Sequence, residues 1–296
     1  MAQDILARLH RLSRPVSSRL GFARPIARAI FGRLLAARYG RGLMRARQND
    51  REWLLAPEVA LRGEFQEFGT TEWLRGALEP GMMAIDVGAN VGQMTLECAA
   101  LVGPTGRVLA IEPGEGNLEL LRCHVTANGF ADRVEIIEGC CADLSGTITL
   151  FVVGAGDRAV GSGHTLAGEA AVRRQGIDLA VHPREVAAYT IDELCEARGL
   201  APDVVKIDVE GAELQVLRGM ARVMSTSRPL VRVGFHPFAF DDANLASDEL
   251  RAVFKDAGYV FEGPSRGPLS LDEYEGRPLN LWAKGKSSEP TDAHRN

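Results

Sequence analysis

Carboxylates stand in this sequence where apolar runs give way to loops. The segment Asp86-Val-Gly-Ala-Asn-Val-Gly92 puts an acid, two glycines and Asn90 within seven residues. Gly88 and Gly92 suit a tight strand-to-helix turn, where a ligand can approach the backbone and the helix can pack close to the strand. The spacing G-x-x-x-G departs from the G-x-G-x-x-G of a dinucleotide cradle. Glu112 lies twenty residues after Gly92 and directly after the apolar run 108–111. An acid so placed can accept both ribose hydroxyls of a nucleoside. Asp143 follows the next apolar run, where an acceptor can take the exocyclic amine of adenine, although Asp-Leu-Ser-Gly is also good turn chemistry. Asp208, Glu210 and Glu213 follow a fourth run, and His236 follows a fifth in Gly234-Phe-His-Pro237.

Those residues need a scaffold that brings the ends of separate strands together. From residue 82 onward the pattern alternates. Strands are expected at 82–85, 107–111, 134–137, 203–209 and 229–235, with a further β-rich run at 147–153. Helices are expected at 94–102, 116–128, 190–198, 212–224 and 247–257. Thr190, with Glu193 three residues on, has the form of a helix N-cap. Residues 154–183 show no clear period. The segments 259–261 and 279–283 read as an antiparallel hairpin. Such alternation implies a mainly parallel sheet with helices on both faces, whose ligand lies outside the carboxyl ends of the strands.

The 296 residues carry 34 basic and 39 acidic side chains, a net charge of −5, with globular proportions of apolar and charged residues. No run of 18 uncharged apolar residues occurs, so a membrane-spanning helix is not expected. The odd count of five cysteines, with no C-x-x-C, excludes a disulfide framework and a zinc finger as readings and suggests buried thiols in a reducing, cytoplasmic setting. Charge is unevenly spread. Residues 1–49 hold eleven arginines and one acid, a local charge of +10, which leaves −15 on the rest. Residues 1–64 therefore read as a basic helical arm, with short amphipathic patterns at 5–12 and 26–34. Its alternative roles are packing on its own domain, contact with a second subunit in a homo-oligomer, peripheral contact with an anionic membrane, nucleic-acid binding through phosphates, or a transit peptide. Residues 65–285 form the expected catalytic domain and 286–296 a flexible tail.

The motifs Val-Gly-Ala-Asn-Val-Gly92, Ile-Glu112-Pro and Lys206-Ile-Asp-Val-Glu-Gly-Ala-Glu213 together resemble the FkbM-type S-adenosylmethionine-dependent methyltransferases. The resemblance also takes in Gly69-Thr-Thr-Glu72, Pro80-Gly81 and Thr190-Ile-Asp-Glu-Leu194, and spans about residues 65–283. It implies a Rossmann-like class I methyltransferase fold, seven-stranded and mainly parallel with an antiparallel last strand. It also implies methyl transfer from S-adenosylmethionine to a hydroxyl of a sugar, glycan or natural product. Carried across, the cofactor sits on Asp86, Gly88, Asn90 and Gly92. Glu112 holds the ribose, Asp143 faces the adenine, Glu72 assists at the methionine end, and Asp208 points toward the amino group or methyl. One position departs from the family: Gly234 stands where a glutamate two residues before His-Pro is common. His124 also replaces a common asparagine, on a helix expected to lie away from the chemistry.

Methyl transfer is an in-line displacement, so positioning supplies much of the rate, and a hydroxyl nucleophile gains from a base. Asp208 and His236, on adjacent strand ends, are the catalytic candidates, a near-neutral imidazole being the better base. No metal is expected, because Asp-x-Glu and a histidine 28 residues on match no closed ligand spacing. Two other functions compete. A nucleic-acid methyltransferase would use the basic arm, but the acidic body opposes phosphate binding and no Asn/Asp-Pro-Pro-aromatic or Pro-Cys motif is present. A non-catalytic scaffold retaining the cofactor fold would account for Gly234.

Overall fold

The structure is a computed structural model and describes residues 42–48, 50–62, 68–154, 164–174, 179–236, 239–262 and 279–283. The arm patterns at 5–12 and 26–34 and the 286–296 tail lie outside them. The chain divides into two compact units that meet at Phe68–Gly69 rather than at 64–65.

In the first unit β1 (Met44–Gln48) pairs antiparallel with β2 (Arg51–Leu55), with Met44 opposite Leu55 and Gln48 opposite Arg51. Asp50 takes the left-handed conformation that so short a turn requires. A one-turn helix α1 (Pro57–Arg62) follows. The helical reading of 1–64 therefore fails over 44–55. Met44-Arg45-Ala46-Arg47 alternates apolar and charged side chains with period two, which is a strand pattern, and Trp53 and Leu55 are the buried residues of β2.

The second unit begins within α2 (Phe68–Ala77), at Gly69, and then alternates: β3 (Met83–Val87), α3 (Gln93–Leu101), β4 (Arg107–Glu112), α4 (Glu115–Ala127), β5 (Val134–Glu138). A second set returns to the same sheet: β9 (Val204–Ile207), α7 (Glu213–Arg218), α8 (Ala221–Thr226), β10 (Leu230–Val233), α9 (Ala243–Asp256), β11 (Tyr259–Glu262) and β12 (Leu279–Ala283). The seven strands lie in the order β11-β12-β10-β9-β3-β4-β5. The neighbours from β10 through β5 are parallel, and β12 runs antiparallel to both β10 and β11. The sheet order reverses between β3 and β9, so the crevice for a ligand opens at the carboxyl ends of those two strands.

The central strands are nearly continuous apolar runs, as strands buried on both faces must be. Three charged residues interrupt them in one register row: Asp86 on β3 is opposite Lys206 on β9, which is opposite Arg232 on β10. Lys206 Nζ lies 3.1 Å from Asp86 Oδ1 and donates to the Gly88 carbonyl at 2.9 Å. Thr95 Oγ1 donates to Asp86 Oδ2 at 2.6 Å. The Arg232 guanidinium lies over the Trp73 ring.

Between the two sets, β6 (Cys140–Cys141), β7 (Gly146–Val153) and β8 (Val181–Tyr189) form a small sheet in the order β6-β8-β7, with α5 (Glu169–Arg174) between β7 and β8. Strand β8 begins within the segment that shows no period, and Pro183 disguises it, since proline inside a run argues against a strand. Helix α6 (Ile191–Arg198) begins where expected. Thr190 Oγ1 accepts from the Glu193 amide at 3.1 Å, and Gly199 ends the helix in the left-handed conformation. Thr190→Ala is expected to cost about 1 kcal/mol of stability in urea denaturation. The single helix expected over 212–224 is two, α7 and α8. Gly219 sits at the break because a Cβ there would lie 2.0 Å from the Ala142 carbonyl oxygen. All five cysteines are free, and all but Cys123 are buried. No helix among the described residues is long and apolar enough to cross a membrane.

Candidate active site

The turn after β3 is held by its neighbours on both sides. Gly88 and Ala89 donate their amides to the Ile111 carbonyl on β4, and the Asp208 amide donates to Val87. Gly88 has φ +76°, and a Cβ on it would meet the Asp208 carbonyl oxygen at 1.9 Å. The glycine therefore lets the β3 turn and the β9 end touch. Gly92, at φ +96°, would place a Cβ 2.8 Å from Leu121 of α4, so it serves the packing of α4 against the turn. His124, also on α4, is fully buried with Nδ1 2.7 Å from the Val91 carbonyl oxygen. This corrects the expectation that it lies away from the chemistry, because it braces the turn from beneath.

Asp86 is fully buried and turned inward, toward Lys206 and Thr95. Its carboxylate acts on the turn indirectly: Lys206, paired with it, holds the Gly88 carbonyl. Glu72 is exposed on α2. Neither is brought to the turn as a ligand contact.

Glu112 ends β4 with its carboxylate buried. Oε2 accepts from the Asn90 amide at 2.8 Å, and Oε1 accepts from the Gly114 amide at 2.9 Å and Asn117 Nδ2 at 3.0 Å. Burial raises its pKa, and these three hydrogen bonds oppose that rise. A carboxylate offers about four lone-pair positions, so the three bonds fix its orientation and leave acceptor capacity. His164 lies on this side of the site: a Cβ on Gly114 would lie 2.8 Å from Glu112 Oε1 and 3.1 Å from His164 Cδ2. Asn90 adopts φ 51° and keeps a buried Oδ1 without a hydrogen-bond partner, as Gln93 does a buried Nε2. An unpaired acceptor and an unpaired donor on one turn are what the ammonium and carboxylate of an amino acid would satisfy. Asp143, beyond β6, is exposed, with Oδ2 3.9 Å from Arg218 Nη1.

The second half of the site lies at the ends of β9 and β10. Asp208 directly follows β9, and Glu210 sits in the next turn at φ 53°. The Glu210 carbonyl accepts from Thr165 Oγ1 at 2.5 Å, so Thr165 braces this loop. Glu213 opens α7, and its Oε1 accepts from the Gly211 amide at 2.9 Å and stands 2.8 Å from His236 Nδ1. His236 Nε2 lies 3.7 Å from Asp208 Oδ1 and 3.6 Å from Glu210 Oε2. Burial by itself would lower the imidazole pKa. The hydrogen bond and charge of Glu213, with the charges of Glu210 and Asp208, outweigh it and carry the pKa up to about 9. The neutral ring expected of a general base is therefore not the form this cluster favours, because three carboxylates draw positive charge to the spot. Burial, offset by His236, raises the Glu210 pKa. A Cβ on Gly234 would lie 3.1 Å from Asp208 Oδ1, so the glycine leaves open the space beside that carboxylate.

The sequence passes over Lys206, Asn117, Thr95 and Gln93. Lysine within the apolar run Val204–Ile207 is the one visible signal, since a buried strand carries a charge only if it is paired. A mainly parallel seven-stranded sheet with helices, an antiparallel strand near one edge, a glycine turn and an acid at the next strand end make a Rossmann-like fold of the kind class I methyltransferases have. The chain matches the model described as "Methyltransferase FkbM domain" over residues 86–261 and belongs to the FkbM methyltransferase family, whose methyl donor is S-adenosylmethionine. The chain is 30% identical to a demethylmenaquinone methyltransferase of Symbiobacterium thermophilum over 87 residues, 29% of this chain and 35% of that protein. It therefore spans about a third of that relative's length. Among solved structures it is similar to an FkbM methyltransferase of Methylobacillus flagellatus (18% identity, TM-score 0.42, covering 72% of this chain and 50% of that one). It is also similar to Aeropyrum pernix fibrillarin in complex with S-adenosyl-L-methionine (13% identity, TM-score 0.45, covering 82% and 83%).

Proposed function

We propose that this protein transfers a methyl group from S-adenosylmethionine to a hydroxyl oxygen of a sugar, glycan or natural product. The observation that carries this reading is the joining of two halves at one sheet edge. Gly88 packs against Asp208, so the turn bearing Asn90 abuts the loop bearing Asp208, Glu210 and His236. Glu112 would accept the ribose hydroxyls, Asn90 and Gln93 would take the amino-acid end, and exposed Asp143 the adenine amine. Asp86 and Glu72 are not in this set, one because its carboxylate faces Lys206 and Thr95, the other because it stands exposed on α2. When bound, the cofactor supplies a methyl made electrophilic by its sulfonium. Asp208 and His236 would hold the acceptor hydroxyl in line and draw its proton toward the carboxylates, a positioning role that accounts for much of such a rate.

Glu112 gives the test. Glu112→Ala removes charge-assisted hydrogen bonds worth about 2–4 kcal/mol, so S-adenosylmethionine affinity should fall roughly 30-fold or more by calorimetry. A folded variant with the parent's affinity would remove the ribose assignment. Methyl transfer to a panel of hydroxyl-bearing glycans and metabolites tests the acceptor class. Transfer to carbon or nitrogen acceptors alone would contradict it.

A further inference from the structure

We propose that Asp208, Glu210 and His236 form a binding site for one divalent cation, with Glu213 as the residue that orients the imidazole. Each of the three offers a donor atom, and the three atoms lie within 4.8 Å of one another. The 28-residue gap between Asp208 and His236 hides this grouping in the sequence, and the parallel pairing of β9 with β10 creates it. His236 Nε2 is 3.7 Å from Asp208 Oδ1 and 3.6 Å from Glu210 Oε2. Those separations exceed a hydrogen bond. With metal–ligand bonds of about 2.1–2.2 Å they correspond to ligand–metal–ligand angles of roughly 110–120°, which suit an open site with three protein ligands.

Two further observations point to a ligand at this place. Glu213 is fully buried and keeps Oε2 without a hydrogen-bond partner, while its Oε1 meets His236 Nδ1 at 2.8 Å. A carboxylate on Nδ1 that turns Nε2 toward the other donors is the usual support of a metal-bound imidazole. Gly234 is the second observation. Any side chain there would come within 3.1 Å of Asp208 Oδ1, one of the donor atoms, so the glycine keeps the approach to that oxygen clear. Two carboxylate oxygens with one imidazole nitrogen suit a borderline cation of the Mn²⁺ or Zn²⁺ kind rather than Mg²⁺, which keeps to oxygen ligands at near-octahedral angles.

The test is metal binding by the full chain after chelator treatment, with neither S-adenosylmethionine nor acceptor present. Its outcome is thereby independent of the methyl-transfer reading. Mn²⁺ is titrated and the free ion followed by electron paramagnetic resonance. One Mn²⁺ per chain is expected. Asp208→Asn and His236→Ala should each weaken binding at least about tenfold, and Glu213→Gln should weaken it roughly 10- to 100-fold through the imidazole. Asp132→Asn, an exposed carboxylate before β5, should leave the titration unchanged. The proposal is overturned if the folded parent binds no stoichiometric Mn²⁺ up to about millimolar concentration, the weak end for oxygen-ligand sites. It is also overturned if Asp208→Asn, folded by circular dichroism, binds as the parent does, or if Asp132→Asn loses as much.

Discussion

A His236→Ala protein is expected to turn over roughly 10²–10⁴ times more slowly than the parent while binding S-adenosylmethionine with nearly unchanged affinity. His236 stands at the end of β10 within 3.7 Å of both Asp208 and Glu210, and it is tied to Glu213. Removing the ring leaves three acidic side chains facing one another and takes away the group that holds them apart and oriented. The contacts proposed for the cofactor, at Glu112 and Asn90, come from β4 and the turn after β3, so kcat should fall and cofactor affinity should not. Asp208→Asn should act on both, since it removes the carboxylate charge that lies 3.7 Å from His236 Nε2 and that is proposed to face the sulfonium. Steady-state kinetics on the true acceptor, with calorimetry on the same variants, separate the two effects. Near-normal turnover of His236→Ala would remove the residue from the catalytic set.

Lys206→Met is expected to cost roughly 3–5 kcal/mol of unfolding free energy, the range for breaking a buried ion pair from one side. The substitution keeps most of the side-chain volume but strands Asp86, which has 0% exposure and lies 3.1 Å from the ammonium. Thr95 alone would then offset the buried charge. The Gly88 carbonyl would also lose its 2.9 Å donor, so the turn that carries Asn90 should loosen. Restoring neutrality with Asp86→Asn in the same chain should recover part of the loss, as coupled partners do. Urea denaturation of the parent, both single variants and the double variant measures this. A single variant within about 1 kcal/mol of the parent would mean that the pair contributes little.

The sheet is legible in the sequence because its strands are short apolar runs, and helices with ordinary caps separate them. Met83–Val87, Arg107–Glu112 and Val204–Ile207 sit within a residue or two of expectation. The edge residues follow from that, because Glu112, Asp208 and His236 each stand where a run ends. Features that depend on tertiary contact are not legible. The break at Gly219 exists because Ala142 approaches it, and β8 exists because β7 and β6 pair with it despite Pro183. Asp86 reads as a ligand contact until Lys206 is seen opposite it on β9. The character of His236 is illegible for the same reason. Its sequence neighbours are Phe235 and Pro237, and the acids that surround it lie on another strand end and helix.

The most direct test of the two-part site is a crystal structure of the protein with S-adenosylhomocysteine. The ribose hydroxyls should lie within hydrogen-bonding distance of Glu112, and Asn90 Oδ1 and Gln93 Nε2 should meet the amino-acid end. The sulfur should face the loop of Asp208 and His236. A product molecule bound away from the β3 turn, or one that leaves Glu112 with only its Asn90, Gly114 and Asn117 partners, would contradict the account.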